Sequence, residues 1–323
     1  MASQLAAAAP EGDTAPDLAV RVCGLRMSYG KREVLRSIDF EVRQGEVFCL
    51  LGPNGAGKTT TVEILEGFRA RTGGTVTVLG LDSAAQPAEL RERIGIVLQE
   101  CGFPRQARVG ELIEIWRQYY PHPRPLGDLL EVTGLTADRN TSVRKLSGGQ
   151  RRRLDFALAL AGDPDLVFLD EPTTGFDPEA RRRLWTAVEN LRSLGKTIVL
   201  TTHYLDEAEY LADRVAILLD GRIKIVGSTR EVAKLAELPA HVSFSLPKAL
   251  RDGEIPPPDG IELIMHGPTA TCRTRNTAAT LRALLDWAAR YHVGDLDELA
   301  VVTPSLEDAY LHHVERTDGD PAR

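Results

Sequence analysis

The sequence predicts an α/β fold: a mostly parallel sheet crossed by helices, an inserted helical stretch over about 103–160, and a small α+β domain toward the C-terminal end. Three observations predict it. Short apolar runs alternate with stretches of helical spacing between Leu18 and Leu219, the pattern of strand–helix–strand crossovers. A glycine-rich segment, Gly52–Thr60, separates one such run from a helix. Beyond about Lys234 the texture changes to a Pro/Gly-rich loop, Arg251–Gly260, among short strands.

Each element follows from its pattern. Leu18–Met27 and Ile38–Val42 read as strands joined by a turn at Tyr29–Gly30, and Val47–Leu51 is an apolar strand stopped by glycine. Lys58–Gly67 has helical spacing, and Arg93–Leu98 is a further strand. In the insert, Glu111–Tyr120 and Leu126–Val132 are helices separated by Pro121–Pro125, and Gln150–Ala161 is a third. Leu166–Leu169, Thr197–Thr201 and Val215–Leu219 are strands; Pro178–Leu194 and Leu205–Leu211 are helices. In the accessory domain, placed at 240–323, strands are expected at Val242–Leu246, Ile261–Met265, Ala270–Arg275 and Leu299–Val302, with a helix over Thr280–Tyr291. Ser305 with Asp308 forms a capping box that opens a helix over Leu306–Val314. The larger domain is placed at 18–235, and 1–17, rich in Ala and Pro, reads as a disordered tail without the basic start and apolar core of a secretory signal.

Composition narrows the function classes. Of 323 residues, 43% are hydrophobic and 26% charged, the balance of a globular protein, and no run approaches the roughly 18 apolar residues of a membrane-spanning helix. Lys+Arg number 39 against 46 Asp+Glu, a net charge of −7, which argues against neutralising nucleic-acid phosphates as the main task. Cys23, Cys49, Cys101 and Cys272 lack CxxC or zinc-finger spacing and read as scattered buried thiols in a reducing compartment.

Gly52, Pro53, Asn54, Gly55, Ala56, Gly57, Lys58 and Thr59, followed by Thr60, satisfy G-x-x-x-x-G-K-[ST] with a strand before and a helix after. Gly55 and Gly57 let the backbone curl with its N–H groups inward, toward phosphate at a helix N-terminus. Lys58 reaches the β- and γ-phosphates, and the Thr59 hydroxyl ligates Mg²⁺. The motif by itself says that a nucleoside triphosphate binds, not for what purpose. Leu166–Leu169 then runs into Asp170 and Glu171, two carboxylates at the ligand edge of a buried parallel strand. Asp170 is placed to hold Mg²⁺ through water and Glu171 to polarise an attacking water as general base.

A second anion site follows. Leu146-Ser147-Gly148-Gly149-Gln150 opens a helix with two glycines and a hydroxyl, again exposing N–H donors. Here the sequence resembles the ATP-binding-cassette (ABC) ATPases, whose LSGGQ signature these five residues match without change; the resemblance covers about 18–230. It implies a P-loop NTPase core with an inserted helical subdomain. It implies that Tyr29 stacks on adenine, that Gln99 contacts Mg²⁺ or the lytic water and faces a membrane partner, that Asp177 belongs to a dimer-communicating loop, and that His203 contacts the γ-phosphate. Phe176 stands where the family more often has leucine. It also implies a head-to-tail homodimer, with ATP between Lys58 of one copy and Ser147 of the other.

The expected function is therefore the ATP-hydrolysing subunit of a transporter, energising a separate transmembrane permease from the cytoplasmic face of the membrane, with ATP and Mg²⁺ as cofactors and no nucleic acid as partner. The ending Thr303–Leu311 resembles that of the drug-exporting, daunorubicin-resistance subfamily, which favours export of a drug-like or lipophilic substrate. The abundance of Arg and Ala over Lys fits a GC-rich bacterial source. Two other classes remain open: a soluble cassette ATPase acting on nucleic acid or ribosomes, and a P-loop kinase, which would have no use for Ser147–Gln150. The basic triplets Arg151–Arg153 and Arg181–Arg183 read as solvated helix faces, and His312–His313 as surface residues. Trp116 and Tyr119–Tyr120 have the spacing of a core-packing helix face, with any exposed subset a candidate docking surface.

Overall fold

The computed structural model describes residues 17–97, 104, 106–235, 238–293 and 295–318. The chain divides into two compact units at Lys224/Ile225.

The first unit begins with a hairpin, β1 (Leu18–Tyr29) and β2 (Arg32–Arg43). The turn lies at Gly30–Lys31 rather than at Tyr29, because the strand pairing continues to Tyr29 opposite Arg32. Next come β3 (Val47–Leu51), α1 (Lys58–Leu65), β4 (Gly73–Val78), β5 (Leu81–Asp82), α2 (Ala88–Arg93) and β6 (Ile94–Val97). Helices α3 (Val109–Arg117), α4 (Leu126–Val132) and α5 (Gly148–Ala159) form the helical insert. The chain returns through β7 (Leu166–Asp170), α6 (Pro178–Ser193), β8 (Thr197–Thr202), α7 (Leu205–Leu211), β9 (Arg214–Leu219) and β10 (Arg222–Gly227).

Among the described residues these strands make two sheets. A six-stranded sheet has the order β10-β9-β3-β8-β7-β6, within which β9, β3, β8, β7 and β6 run parallel to one another. Every residue of β3 and β8 is buried, which is why these strands read as unbroken apolar or threonine runs rather than alternating ones. A separate antiparallel sheet has the order β2-β1-β4-β5. The sequence reading did not place β4, because its two opening glycines resemble a turn and its threonines dilute the apolar pattern.

The second unit contains α8 (Thr229–Leu235), β11 (Ala240–Ser245), α9 (Lys248–Arg251), β12 (Leu263–His266), β13 (Thr269–Thr274), α10 (Thr277–Arg290), β14 (Ala300–Val302) and α11 (Leu306–Asp318). Its sheet has the order β12-β13-β11-β14, packed on α10 through Val242, Phe244, Leu284 and Trp287. The unit starts before the compositional change near Lys234, because α8 packs against α11. The capping box at Ser305 forms as expected: Ser305 N donates to Asp308 Oδ2 (2.8 Å), and Asp308 N donates to Ser305 Oγ (3.1 Å).

Three expectations need correction. Trp116 and Tyr119 are not core residues but 38% and 73% exposed, because α3 buries Val109, Leu112 and Ile113 instead. Cys23 is exposed, lying on the outward side of β1, while Cys49 and Cys272 are buried; Cys101 lies outside the described residues. Arg152 is not on a solvated face but buried, 3.8 Å from Asp155.

Candidate active site

Parallel pairing sets the site. Leu51 of β3 lies beside Thr202 of β8, and Asp170 of β7 beside Thr201, so Gly52, Glu171 and His203 leave the sheet at one edge. This is the edge where open α/β sheets bind ligands. Gly55 (φ +81°) and Gly57 (φ +108°) both adopt left-handed backbone, and a Cβ on Gly57 would lie 2.6 Å from Leu35 Cδ2. The loop therefore requires glycine at its last turn before α1.

The cradle borders a cavity of about 550 Å³ lined by Tyr29, Arg32, Asn54, Lys58, Thr59 and Glu171, among others. Lys58 is buried; its ammonium donates to Gly52 O (2.8 Å) and Pro53 O (3.2 Å) and lies 3.0 Å from Glu171 Oε1. Glu171 sits at φ +44°, a strained conformation for a non-glycine residue and one that recurs at functional sites. Its N–H donates to the carbonyl and hydroxyl of Thr201 (3.1 and 3.0 Å). Its Oε2 accepts from Thr174 Oγ1 (3.2 Å) and lies 3.4 Å from His203 Nδ1. Burial pushes the Glu171 carboxyl upward, but Lys58 and His203 outweigh it and hold the group below the ordinary carboxylate value. A carboxylate that stays ionised in this position is a competent base.

Thr59 lines the cavity, and Asp170 Oδ1 accepts from Thr201 Oγ1, leaving Asp170 Oδ2 for another partner. No cluster of three or more His, Cys, Asp or Glu side chains suited to a metal occurs among the described residues. One hydroxyl and one carboxylate oxygen nevertheless fit Mg²⁺, which takes few protein ligands and completes its shell with water and phosphate.

Not all expected site residues come together. Ser147 is the N-cap of α5: its Oγ accepts from Gln150 N (3.2 Å), while Ser147 N donates to Gln150 Oε1 (2.8 Å). Gln150 Nε2 further donates to Asp138 Oδ1 (2.9 Å). The Ser147 hydroxyl keeps its own proton to donate. None of Ser147, Gly148, Gly149 and Gln150 lines the Lys58 cavity. Asp177 also lies outside it and caps α6, accepting from Glu179 N (3.0 Å) and Ala180 N (2.8 Å). Gln99 lies outside the described residues. Sequence reasoning missed Arg32, brought to the cavity by its pairing with Tyr29, and Thr201, which fixes both Asp170 and Glu171. A threonine pair closing an apolar run, just before a candidate histidine, was the available signal for Thr201.

The arrangement defines a P-loop nucleoside triphosphatase whose Ser147–Gln150 helix start lies outside the lining of its own cavity. Comparison with known proteins agrees. The family model "ABC transporter" matches residues 35–174, and "ABC transporter domain-containing protein-like, C-terminal domain" matches 240–305. The daunorubicin resistance ATP-binding protein DrrA2 of Streptomyces coeruleorubidus is 37% identical over 94% of this chain and 98% of its own length. The Nod factor export ATP-binding protein I of Rhizobium johnstonii is 41% identical over 66% of this chain and 70% of its own. The solved structure of an ATP-binding subunit of an ABC transporter superposes with a TM-score of 0.61 at 26% identity, covering 67% of this chain and 92% of that one.

The chain belongs to the ABC transporter family of ATP-binding subunits. It binds and hydrolyses ATP.

Proposed function

We propose that two copies of this chain enclose two ATP molecules and drive a separate membrane permease that exports a drug-like or lipophilic substrate. The observation that carries this reading is the separation of the Ser147–Gly149 helix start from the Lys58 cavity. A helix start with exposed N–H donors that does not line its own cavity supports a site completed by another copy. A dimeric cassette holding ADP and phosphate shares the fold at TM-score 0.58. Lys58 and the Gly52–Thr60 amides hold the phosphates, Tyr29 stacks on the base, and Glu171 takes the proton of the attacking water while His203 meets the γ-phosphate. Thr59 and Asp170 would hold Mg²⁺, which neutralises phosphate charge when bound. Asp177 and Gln99 are assigned to communication with the second copy and with the permease.

No helix among the described residues is long and apolar enough to cross a membrane. The outward Trp116 and Tyr119 of the helical insert, with Phe68 at 65% exposure, offer the permease an aromatic surface on the cytoplasmic side. Export is favoured by the likeness to the daunorubicin-resistance relative, which extends through the C-terminal region. The basic triplets do not favour nucleic acid: Arg153 donates to Gly134 O (2.5 Å), Arg181 pairs with Asp206 (2.7 Å) and Arg183 with Glu179 (2.9 Å). Coexpression with a permease from the same genetic neighbourhood tests the reading. The chain is expected in the membrane fraction only with that permease; ATPase stimulation by DNA or ribosomes without membrane recruitment would overturn it.

A further inference from the structure

The second unit holds a cavity that the ATPase chemistry does not use. It has a volume of about 520 Å³, within the range of small-molecule pockets. Strand register explains where it forms. Ala240, the first residue of β11, pairs with Thr274 at the end of β13, and His241 pairs with Val302 at the end of β14. Ala240, Thr274 and Thr303 therefore converge at one end of the sheet, and α8 closes the side. The residues that would fill this space in a packed core are small: Ala233 of α8 and Ala240 are both buried and end at Cβ.

Among the described residues, the charged side chains that line the cavity are basic. Arg230 and Lys234 are four residues apart on α8, so they share a helix face and repel each other. Arg275, in the turn between β13 and α10, completes the set. No ion-pair partner for any of the three, and no acidic lining side chain, occurs among the described residues. The first turn of α10 reaches the cavity at Thr277, which adds the positive end of a 14-residue helix. Thr274 Oγ1 already accepts from Asn276 N (2.9 Å) and Thr280 Oγ1 (2.7 Å), so its own proton is available to donate. Small apolar walls under a ring of donors and cations match one class of ligand.

We infer that this cavity binds an apolar anion: a molecule whose hydrocarbon or aromatic body fills the space between Ala233 and Ala240 and whose carboxylate or similar headgroup meets Arg230, Lys234 and Arg275. A neutral apolar molecule gains nothing from the three cations, which are exposed at the rim, and a hydrophilic polyanion gains nothing from the alanine floor.

The test uses the full chain and 11-(dansylamino)undecanoate, an apolar carboxylate whose emission rises on leaving water. Saturable binding of one probe per chain is expected, with its methyl ester at least tenfold weaker. The combined Arg230→Ser, Lys234→Ser and Arg275→Ser variant should bind the carboxylate at least tenfold more weakly and bind fluorescent ATP as the parent does. Ala233→Phe should block carboxylate and ester alike by filling the floor. Equal affinity for carboxylate and ester, unchanged binding by the triple variant, or no saturable binding to the parent would each overturn the inference.

Discussion

The ammonium of Lys58 and the carboxylate of Glu171 are ion-paired across the phosphate cradle at 3.0 Å, with side chains only 4% and 15% exposed. These two charges therefore neutralise each other in a largely dry environment, and Lys58 holds the Glu171 carboxyl below its ordinary value. An incoming triphosphate competes with Glu171 for Lys58. On the proposed mechanism, nucleotide entry frees the Glu171 carboxylate from Lys58.

Replacing Glu171 with Gln is expected to leave ATP binding intact and to slow hydrolysis by about 10²–10⁴-fold, the usual contribution of a general base. An ATP-bound dimer should then accumulate on gel filtration. Turnover at the parental rate would remove Glu171 from the mechanism. Because Lys58 and His203 hold the carboxyl below its ordinary 4.5, the base form persists as pH falls toward that value. The acid limb of kcat/KM in the parent is expected below the usual carboxylate range.

Lys58→Ala should weaken binding of fluorescent ATP. It also leaves Glu171 in a half-dry site without its cation, so the carboxyl pKa should rise. The stability that the pair contributes is present above the unfolded carboxylate pKa and is lost as pH falls through the lower folded value. Thermal unfolding of parent and variant should accordingly differ more at pH 7 than at pH 3.

Ser147→Asp separates capping from phosphate contact. Aspartate caps helices as well as serine and suits a helix N-terminus, so the melting temperature should hold within a degree or two. Its charge opposes a phosphate, so ATPase activity should fall by at least ~10-fold, since removing one donor from such a site costs about that much or more. In the Glu171→Gln background, the same change should abolish the dimer. A dimer that survives it would break the link between the α5 start and the second copy.

Glu66 is 7% exposed at the end of α1, and burial first, then Asp170 and Glu63, push its pKa to about 8. It lines a hollow of about 300 Å³ with Phe68, Trp116 and Tyr120, where Arg91 is the nearby cation. A folded pKa above the unfolded one means that the native state binds the extra proton between the ordinary value of 4.5 and about 8, so stability declines as pH rises through that window. Glu66→Gln should be neutral near pH 5 and stabilising by a few kcal/mol at pH 9, measured by urea unfolding without nucleotide or divalent cation. Equal stabilisation at both pH values would show that the carboxyl ionises normally.

The chemistry of the site was legible because it rests on contiguous motifs. Gly52–Thr60, Asp170–Glu171 and Leu146–Gln150 each combine a strand end or helix start with the residues that use it, so local spacing already implied geometry. Boundaries were less legible: β4 hid behind Gly73–Gly74, and α8 joined the C-terminal unit through a contact with α11 that no local pattern encodes.

What the sequence determined by itself was the inventory: a glycine-rich triphosphate cradle, a buried strand that ends in Asp170 and Glu171, a helix start at Ser147–Gln150 and an accessory α+β unit. Periodicity and turn chemistry act over a few residues, and those are written in order along the chain. Tertiary structure decided the relations across long separations. Sheet register brought Glu171 to Lys58 and Thr201 to both carboxylates, while α3 chose Leu112 and Ile113 for burial over Trp116. Charge pairing and burial depend on which strands and helices become neighbours, and sheet pairing joins residues more than a hundred positions apart.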